Sequence, residues 1–339
     1  MPRRMDTSAL AATVVLTGLA LAAAPHAECQ QAAQAPALSA DGFSLGPGSL
    51  VPVPANDAQQ RQSPNSPDPP TPAELQVRAD AVLTNQHRND DASDAYEYVE
   101  HQITRSGGPN PHAVDEKVYR VVPTGTGTLK ILLKDNDHAV DSADYRHQLQ
   151  RWEDVLELML KPDDPRTRSA YAKSAKKKHD RADMVDSMKR AFIPRWVGRE
   201  TVNGRLCDVI QLDPNPAFRP HSILQDVLTR VSAEIWVDPD SNQLVRGEAH
   251  VTRDLSVGGG ILGKLYRGGV FSIEQAEVAP GIWLPTRYQY DFSGRKFLFT
   301  FEIHQIIQMA QYRRVGPPNE ALGVVKNELA SGKPATGDP

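Results

Sequence analysis

Apolar and polar residues alternate with period two along several stretches of this chain. Val231, Ala233, Ile235 and Val237 alternate with Ser232, Glu234 and Trp236, and beyond Asp238-Pro239-Asp240-Ser241-Asn242 the pattern resumes at Val245, Gly247, Ala249 and Val251. Alternation on both sides of such a cluster predicts a β-hairpin. Asp238, Asp240 and Asn242 have the spacing that opens a calcium loop. That loop needs Gly at its sixth place and Glu at its twelfth, where Gln243 and Ala249 stand, so the cluster reads as a turn. The same period predicts strands over 95–105, 116–122, 128–134, 196–202 and 205–212. Asn203-Gly204 joins the last two, and both residues tolerate the positive φ of a tight hairpin turn. That turn sets Arg199 opposite Asp208.

Elsewhere the period is helical. Leu75, Ala79, Val82 and Leu83 predict a helix over 73–88. Tyr145, Leu149, Trp152, Leu156 and Met159 form one stripe that ends at Pro162 and Pro165. A further helix is expected over 167–192, with Met184, Met188 and Phe192 on one face and Pro194 beyond it. Near the C-terminus, strands over 282–292 and 295–304 flank Ser293-Gly294. A turn there pairs Phe292 with Arg295, Tyr290 with Phe297, Tyr288 with Phe299 and Thr286 with Phe301. It gathers Tyr288, Tyr290, Phe292, Phe297, Phe299 and Phe301 into one candidate ligand face. The stripe of Leu149, Trp152 and Leu156 is the expected cover of that face, at about 1.5–3 kcal/mol per buried side chain. The fold class expected is α+β, mainly antiparallel β: an open half-barrel sheet curled around helices on its concave face.

The ends of the chain read differently. Arg3 and Arg4 precede an apolar run over 9–24, with small residues to Ala27, the pattern of a signal peptide over 1–27. The run is shorter than the ~20 residues of a membrane span. His26-Ala27-Glu28 before Cys29 is not a lipobox, so the expectation is a soluble periplasmic or secreted protein. Residues 28–72, rich in Pro, Ala and Gln, read as a linker and 316–339 as a tail. The domain then occupies 73–315, with a helical insertion at 141–192. Gly42-Phe43-Ser44-Leu45-Gly46 matches a nucleophile-elbow pattern, yet it lies in the linker, without the strand and helix that chemistry requires.

Charge and candidate chemistry narrow the function classes. With 38 Lys and Arg against 42 Asp and Glu, net charge is −4, and no nucleic-acid partner is expected. The two cysteines make no disulfide framework, and Cys207 reads as a buried strand residue. The ten histidines show no metal-ligand spacing. No metal, cofactor or catalytic residue is expected, and the chain reads as a binding protein rather than an enzyme. Gly258, Gly260 and Gly263 fit G-x-G-x-x-G without the βαβ unit of a dinucleotide site, and they read as a bend. Lys176 to Arg181 is basic and reads as a solvated helix face. Nothing in the pattern fixes an oligomeric state.

Four segments carry a family resemblance: "YEYVEHQITR" at 96–105, "VGRETVNGRLCDVIQLDP" at 197–214, "AEIWVDPDSNQLVR" at 233–246 and "GIWLPTRYQYDF" at 281–292. The chain resembles LolA/LolB-like half-barrel proteins, a group that includes the outer-membrane lipoprotein carrier and the RseB/MucB-type sensor domain. The resemblance implies a concave apolar face that shelters acyl chains. It implies an exported lipid- or lipoprotein-binding protein, such as a lipoprotein-sorting carrier, with a membrane or envelope-protein acceptor. The alternative it implies is an envelope sensor of the RseB type that regulates a protein partner.

Overall fold

The computed structural model describes residues 69–106, 114–257, 263–296 and 299–331. The expected signal peptide, Cys29, the linker up to residue 68, the 42–46 motif, Gly258, Gly260, Phe297 and the tail beyond 331 lie outside the described residues.

Helix α1 (Pro72–Ser93) starts where the sequence says it should. Thr71 and Glu74 form a reciprocal capping box and Pro72 occupies the first turn. Strands β1 (Tyr96–Ser106), β2 (Val114–Pro123), β3 (Thr128–Asp135) and β4 (His138–Ala139) follow. Two helices come next, α2 (Ser142–Met159) and α3 (Pro165–Ala191), capped by Asp141 and Asp164. Then come β5 (Phe192–Val202), β6 (Arg205–Pro214), the short α4 (Ile223–Leu228), β7 (Val231–Val237) and β8 (Leu244–Val251). The short strands β9 (Leu255–Val257) and β10 (Gly263–Leu265) lead to β11 (Val270–Ala279), β12 (Ile282–Lys296), β13 (Phe299–Arg314) and α5 (Pro318–Ser331).

The sheet runs β4-β3-β2-β1-β13-β12-β11-β8-β7-β6-β5, with β9 and β10 attached beside β12. It is antiparallel and open, with edges at β4 and β5. In sequence, α2 and α3 connect those two edges. Alternation separates the faces. Val121 belongs to the concave core with Leu75, Val82, Phe271, Tyr288 and Ile307, whereas its neighbour Val122 faces the other way, with Ile131, Trp152 and Val325.

The two tight turns read from the sequence are present. Asn203 and Gly204 have φ of 51° and 78°, and Arg199 pairs with Asp208. Asp238 accepts backbone hydrogen bonds from Asp240 and Ser241 and turns β7 into β8.

Three expectations are corrected. First, Ser293-Gly294 is not a turn. Phe292 pairs with Ile303, eight positions beyond Arg295, and the strands stay paired out to Lys296 and Phe299. Gly294 is small for another reason: a Cβ there would lie 2.6 Å from the Phe301 ring and 2.5 Å from the Lys264 carbonyl oxygen. The slide is an even number of residues, so each side chain keeps its face. Second, Leu149, Trp152 and Leu156 do not cover the aromatic face. They pack on the opposite face of the sheet, against Val122, Ile131 and the Ala321 and Val325 side chains of α5. Third, 318–331, expected as tail, is this docked helix, with Glu328 buried. The stripe showed correctly that α2 buries one face. It held no information about which surface receives it.

Candidate functional site

The concave face is built from side chains that alternate inward along neighbouring strands. On β12, Tyr288, Tyr290 and Phe292 point inward and are buried. Across the ladder Tyr288 faces Ile273 and Ile307, Tyr290 faces Phe271 and Gln305, and Phe292 faces Ile303. The rings touch one another: Phe271 to Tyr290 at 5.3 Å, Tyr288 to Tyr290 at 6.1 Å and Tyr290 to Phe292 at 6.4 Å between centroids. Ala249, Ala233 and Val231 extend this floor toward β7. Phe301 packs at its margin, partly buried. Phe299 does not join it, being 79% exposed at the far end of the β12–β13 ladder. Of the sequence-picked residues, Tyr288, Tyr290, Phe292 and Phe301 thus come together; Phe299, Leu149, Trp152 and Leu156 lie elsewhere.

Several floor residues were not singled out from the sequence. Phe271 and Ile273 come from β11, whose "VFSIEQAEVA" alternates as plainly as the strands that were read. Tyr98 and Glu100 come from β1, where "YEYVEHQ" places both on one face. Tyr98 packs on Tyr312 at 5.1 Å. Glu100, 1% exposed, receives the Lys130 ammonium at 2.5 Å, and that ammonium also sits over the Tyr119 ring. Burial, and after it the Glu100 carboxylate, raises the phenols of Tyr98, Tyr290 and Tyr312 well above the usual tyrosine range and that of Tyr119 to about 12.

Val227 of α4, Leu255 of β9 and Leu265 of β10 share this core, and the long element that lies against it is α1. Only Leu75 and Val82 of its 22 residues are buried apolar side chains; the other two buried positions are Gln86 and Asn89. Those amides hold its C-terminal half. Gln86 and Gln275 exchange hydrogen bonds at 2.9 and 3.1 Å. Asn89 donates to Gln243 and accepts from the Trp283 backbone N–H. Asn85 donates to the carbonyls of Ser241 and Asn242, and Arg88 to that of Gly281. Nearer the N-terminus, Arg78 pairs with the buried Asp208, which also accepts from Arg199 and Trp196.

Over α1 lies α3, running antiparallel to it and fastened by charge. Lys189 meets Asp80 at 3.0 Å, Arg181 meets Asp90 at 2.6 Å and Lys178 meets Asp94 at 2.6 Å. The basic run read as a solvated face therefore supplies two of the three ties. Between these helices and the β2–β3 turn is a polar cleft of about 320 Å³, lined by His87, Asp94, Thr126, Lys177 and their neighbours. Among the described residues no group of three His, Cys, Asp or Glu side chains could hold a metal, and no helix is long and apolar enough to cross a membrane.

No family model matches the sequence, and no curated protein matches it. Solved structures do. The chain is similar to LolA-superfamily proteins. One, from Nitrosomonas europaea, is 12% identical over 72% of this chain and 96% of its own, with a TM-score of 0.29. A domain from Vibrio parahaemolyticus described as outer-membrane lipoprotein-sorting is 9% identical over 73% and 99%, with a TM-score of 0.31. MucB of Pseudomonas aeruginosa, solved with MucA, is 9% identical over 70% and 99%, with a TM-score of 0.20. The half-barrel rests on the strand pairing described above, and the likeness adds no ligand or partner to it.

Proposed function

We propose that this chain is an exported binding protein that shelters acyl chains on the aromatic floor of its half-barrel, with α1 as a displaceable cover. Export is supported by the Arg3-Arg4 pair and the apolar run over 9–24. The observation that carries the binding reading is the mismatch between floor and cover. A broad floor of Tyr288, Tyr290, Phe292, Phe271 and Ile273 lies under a helix that offers it two buried apolar side chains.

Magnitudes support exchange. Lifting Leu75 and Val82 off the floor forfeits roughly 3–6 kcal/mol, which about four to eight buried methylenes at ~0.8 kcal/mol each make up, while the pairs of Arg78 with Asp208 and Asp80 with Lys189 must also open. A long acyl chain exceeds that length. The buried amides at Gln86 and Asn89 allow the N-terminal half of α1 to lift while its other end stays anchored. Binding and sequestration are the whole mechanism; no bond is made or broken. A lipoprotein-sorting carrier is the specific role that fits such a device, its cargo the acyl chains of a lipoprotein.

Titration of the purified full chain with a fluorescent polyene fatty acid tests this. Saturable enhancement is expected, competed by unlabelled long-chain acyl compounds and strengthened when Leu75→Ala weakens the cover. If neither the natural chain nor the Leu75→Ala variant binds saturably, the floor is ordinary core and the reading falls.

A further inference from the structure

The concave face is not uniformly apolar. Tyr98, Tyr119, Tyr288 and Tyr290 bring four phenol hydroxyls to it, and none of the four makes a hydrogen bond to a described residue. The Tyr288 hydroxyl is fully buried in that state. A buried hydroxyl without a partner forfeits its hydrogen bond to water, so a fold that retains one at Tyr288, beside three further phenols on the same face, has a use for it. The strands place them together. Tyr119 stands directly across from Glu100, Tyr98 is two positions from Glu100 on β1, and Tyr288 and Tyr290 are two positions apart on β12. Burial raises all four phenols; the Glu100 carboxylate adds to the rise at Tyr98, Tyr119 and Tyr290, and Tyr290 to that at Tyr288. At neutral pH all four hydroxyls can donate.

Charge limits what they donate to. The Glu100 carboxylate is matched by Lys130, and the Asp90 carboxylate of α1 by Arg181. Among the described residues, Lys130, the cation beside these phenols, is already paired with Glu100 and leaves no surplus charge for an anionic head group. A free carboxylate would meet Glu100 with nothing to balance it.

We propose that these tyrosine hydroxyls form a polar subsite within the acyl site, selecting ligands whose oxygen is uncharged and internal: ester- or amide-linked acyl chains rather than free fatty acids. This rests on the acyl-binding reading above. The phenols donate to the linkage carbonyl while the chain lies along Phe271, Ile273 and Phe292.

Displacement of the fluorescent probe by four ligands of matched chain length tests it: monopalmitoylglycerol, palmitamide, palmitate and hexadecane, each against the full chain. The ester and amide should bind more tightly than the acid and the alkane. In Tyr98→Phe/Tyr288→Phe/Tyr290→Phe that preference should shrink by roughly three- to tenfold per lost hydrogen bond. Hexadecane affinity and melting temperature should stay equal or rise, since the rings remain. Tyr288→Phe alone should show the same trend in smaller measure. Equal binding of acid and ester by the natural chain, or a preference that survives in the triple variant, overturns the subsite while leaving the acyl reading intact. Binding of none of the four overturns both.

Discussion

Arg120 shows what a single residue can hold in place. Its guanidinium is buried on the face opposite the aromatic floor. It donates to Glu97 at 2.8 and 3.0 Å, to both oxygens of Glu328 at 2.8 and 2.9 Å and to the Tyr145 hydroxyl at 2.8 Å, with the Trp152 ring 5.3 Å away. Arg313 adds a second cation to Glu97, so two acids balance two bases. One side chain thus ties β1, β2, α2 and α5 together. Removing one partner leaves a charge buried without its counterion, which costs about 3–5 kcal/mol. Glu328→Ala should lower stability by that order in urea unfolding; a loss under ~1 kcal/mol would mean that α5 is held by Ala321 and Val325 alone. Cys207 has the opposite character. Burial, then the nearby Asp238 carboxylate, pushes its thiol up to about 11, so little thiolate forms at pH 8. A thiol reagent should modify it only after unfolding, and equal rates in native and denatured protein would contradict its placement inside β6.

Elements whose cause is local were legible in the sequence. Asn203 and Gly204 adopt the positive φ their identities permit, and nothing lies within 4 Å of a Cβ added at Gly204. The cost of Gly204→Val is therefore a backbone cost of about 1–2 kcal/mol, with no clash to confuse it. Thermal unfolding should show it, whereas an unchanged midpoint would argue against the turn. Elements whose cause is distant were not legible. Gly294 looks like a turn residue, but its smallness answers to Phe301 and β10, which no local pattern reveals. The α2 stripe announced a buried face, while its receiver α5 sits far along the chain under a polar-looking sequence. The aromatic floor survived the wrong register because the error was even: Tyr288, Tyr290 and Phe292 kept their side. The tyrosine subsite was half legible, since Tyr98 and Glu100 alternate correctly on β1, but their approach to Tyr290 depends on β13 lying between β1 and β12.

At the scale of the whole molecule, the order of strands makes α2 and α3 a strap. They leave one edge of the open sheet at β4 and rejoin it at the other, β5, and α3 alone spans roughly 40 Å at 1.5 Å per residue. Beneath α3 lies α1, and beneath α1 the floor. In the proposed function a ligand would have to displace α1 to reach the floor, and α3 lies over α1. The ties between the two helices are the pairs of Lys189 with Asp80, Arg181 with Asp90 and Lys178 with Asp94, all partly exposed to solvent. Such pairs contribute about 0.2–1 kcal/mol each, and salt weakens them as the Debye length falls from about 10 Å at 0.1 M to about 3 Å at 1 M. The sheet itself is held by apolar contacts and backbone ladders that salt does not screen. Raising sodium chloride over that range should therefore accelerate uptake of an acyl probe, measured by stopped-flow fluorescence, while the melting temperature changes little. Asp80→Asn/Asp94→Asn should take up the probe quickly at low salt and respond less to added salt. Uptake that is equally fast at both salt concentrations, and unchanged in the double variant, would show that the strap is not the barrier and that access runs by another route.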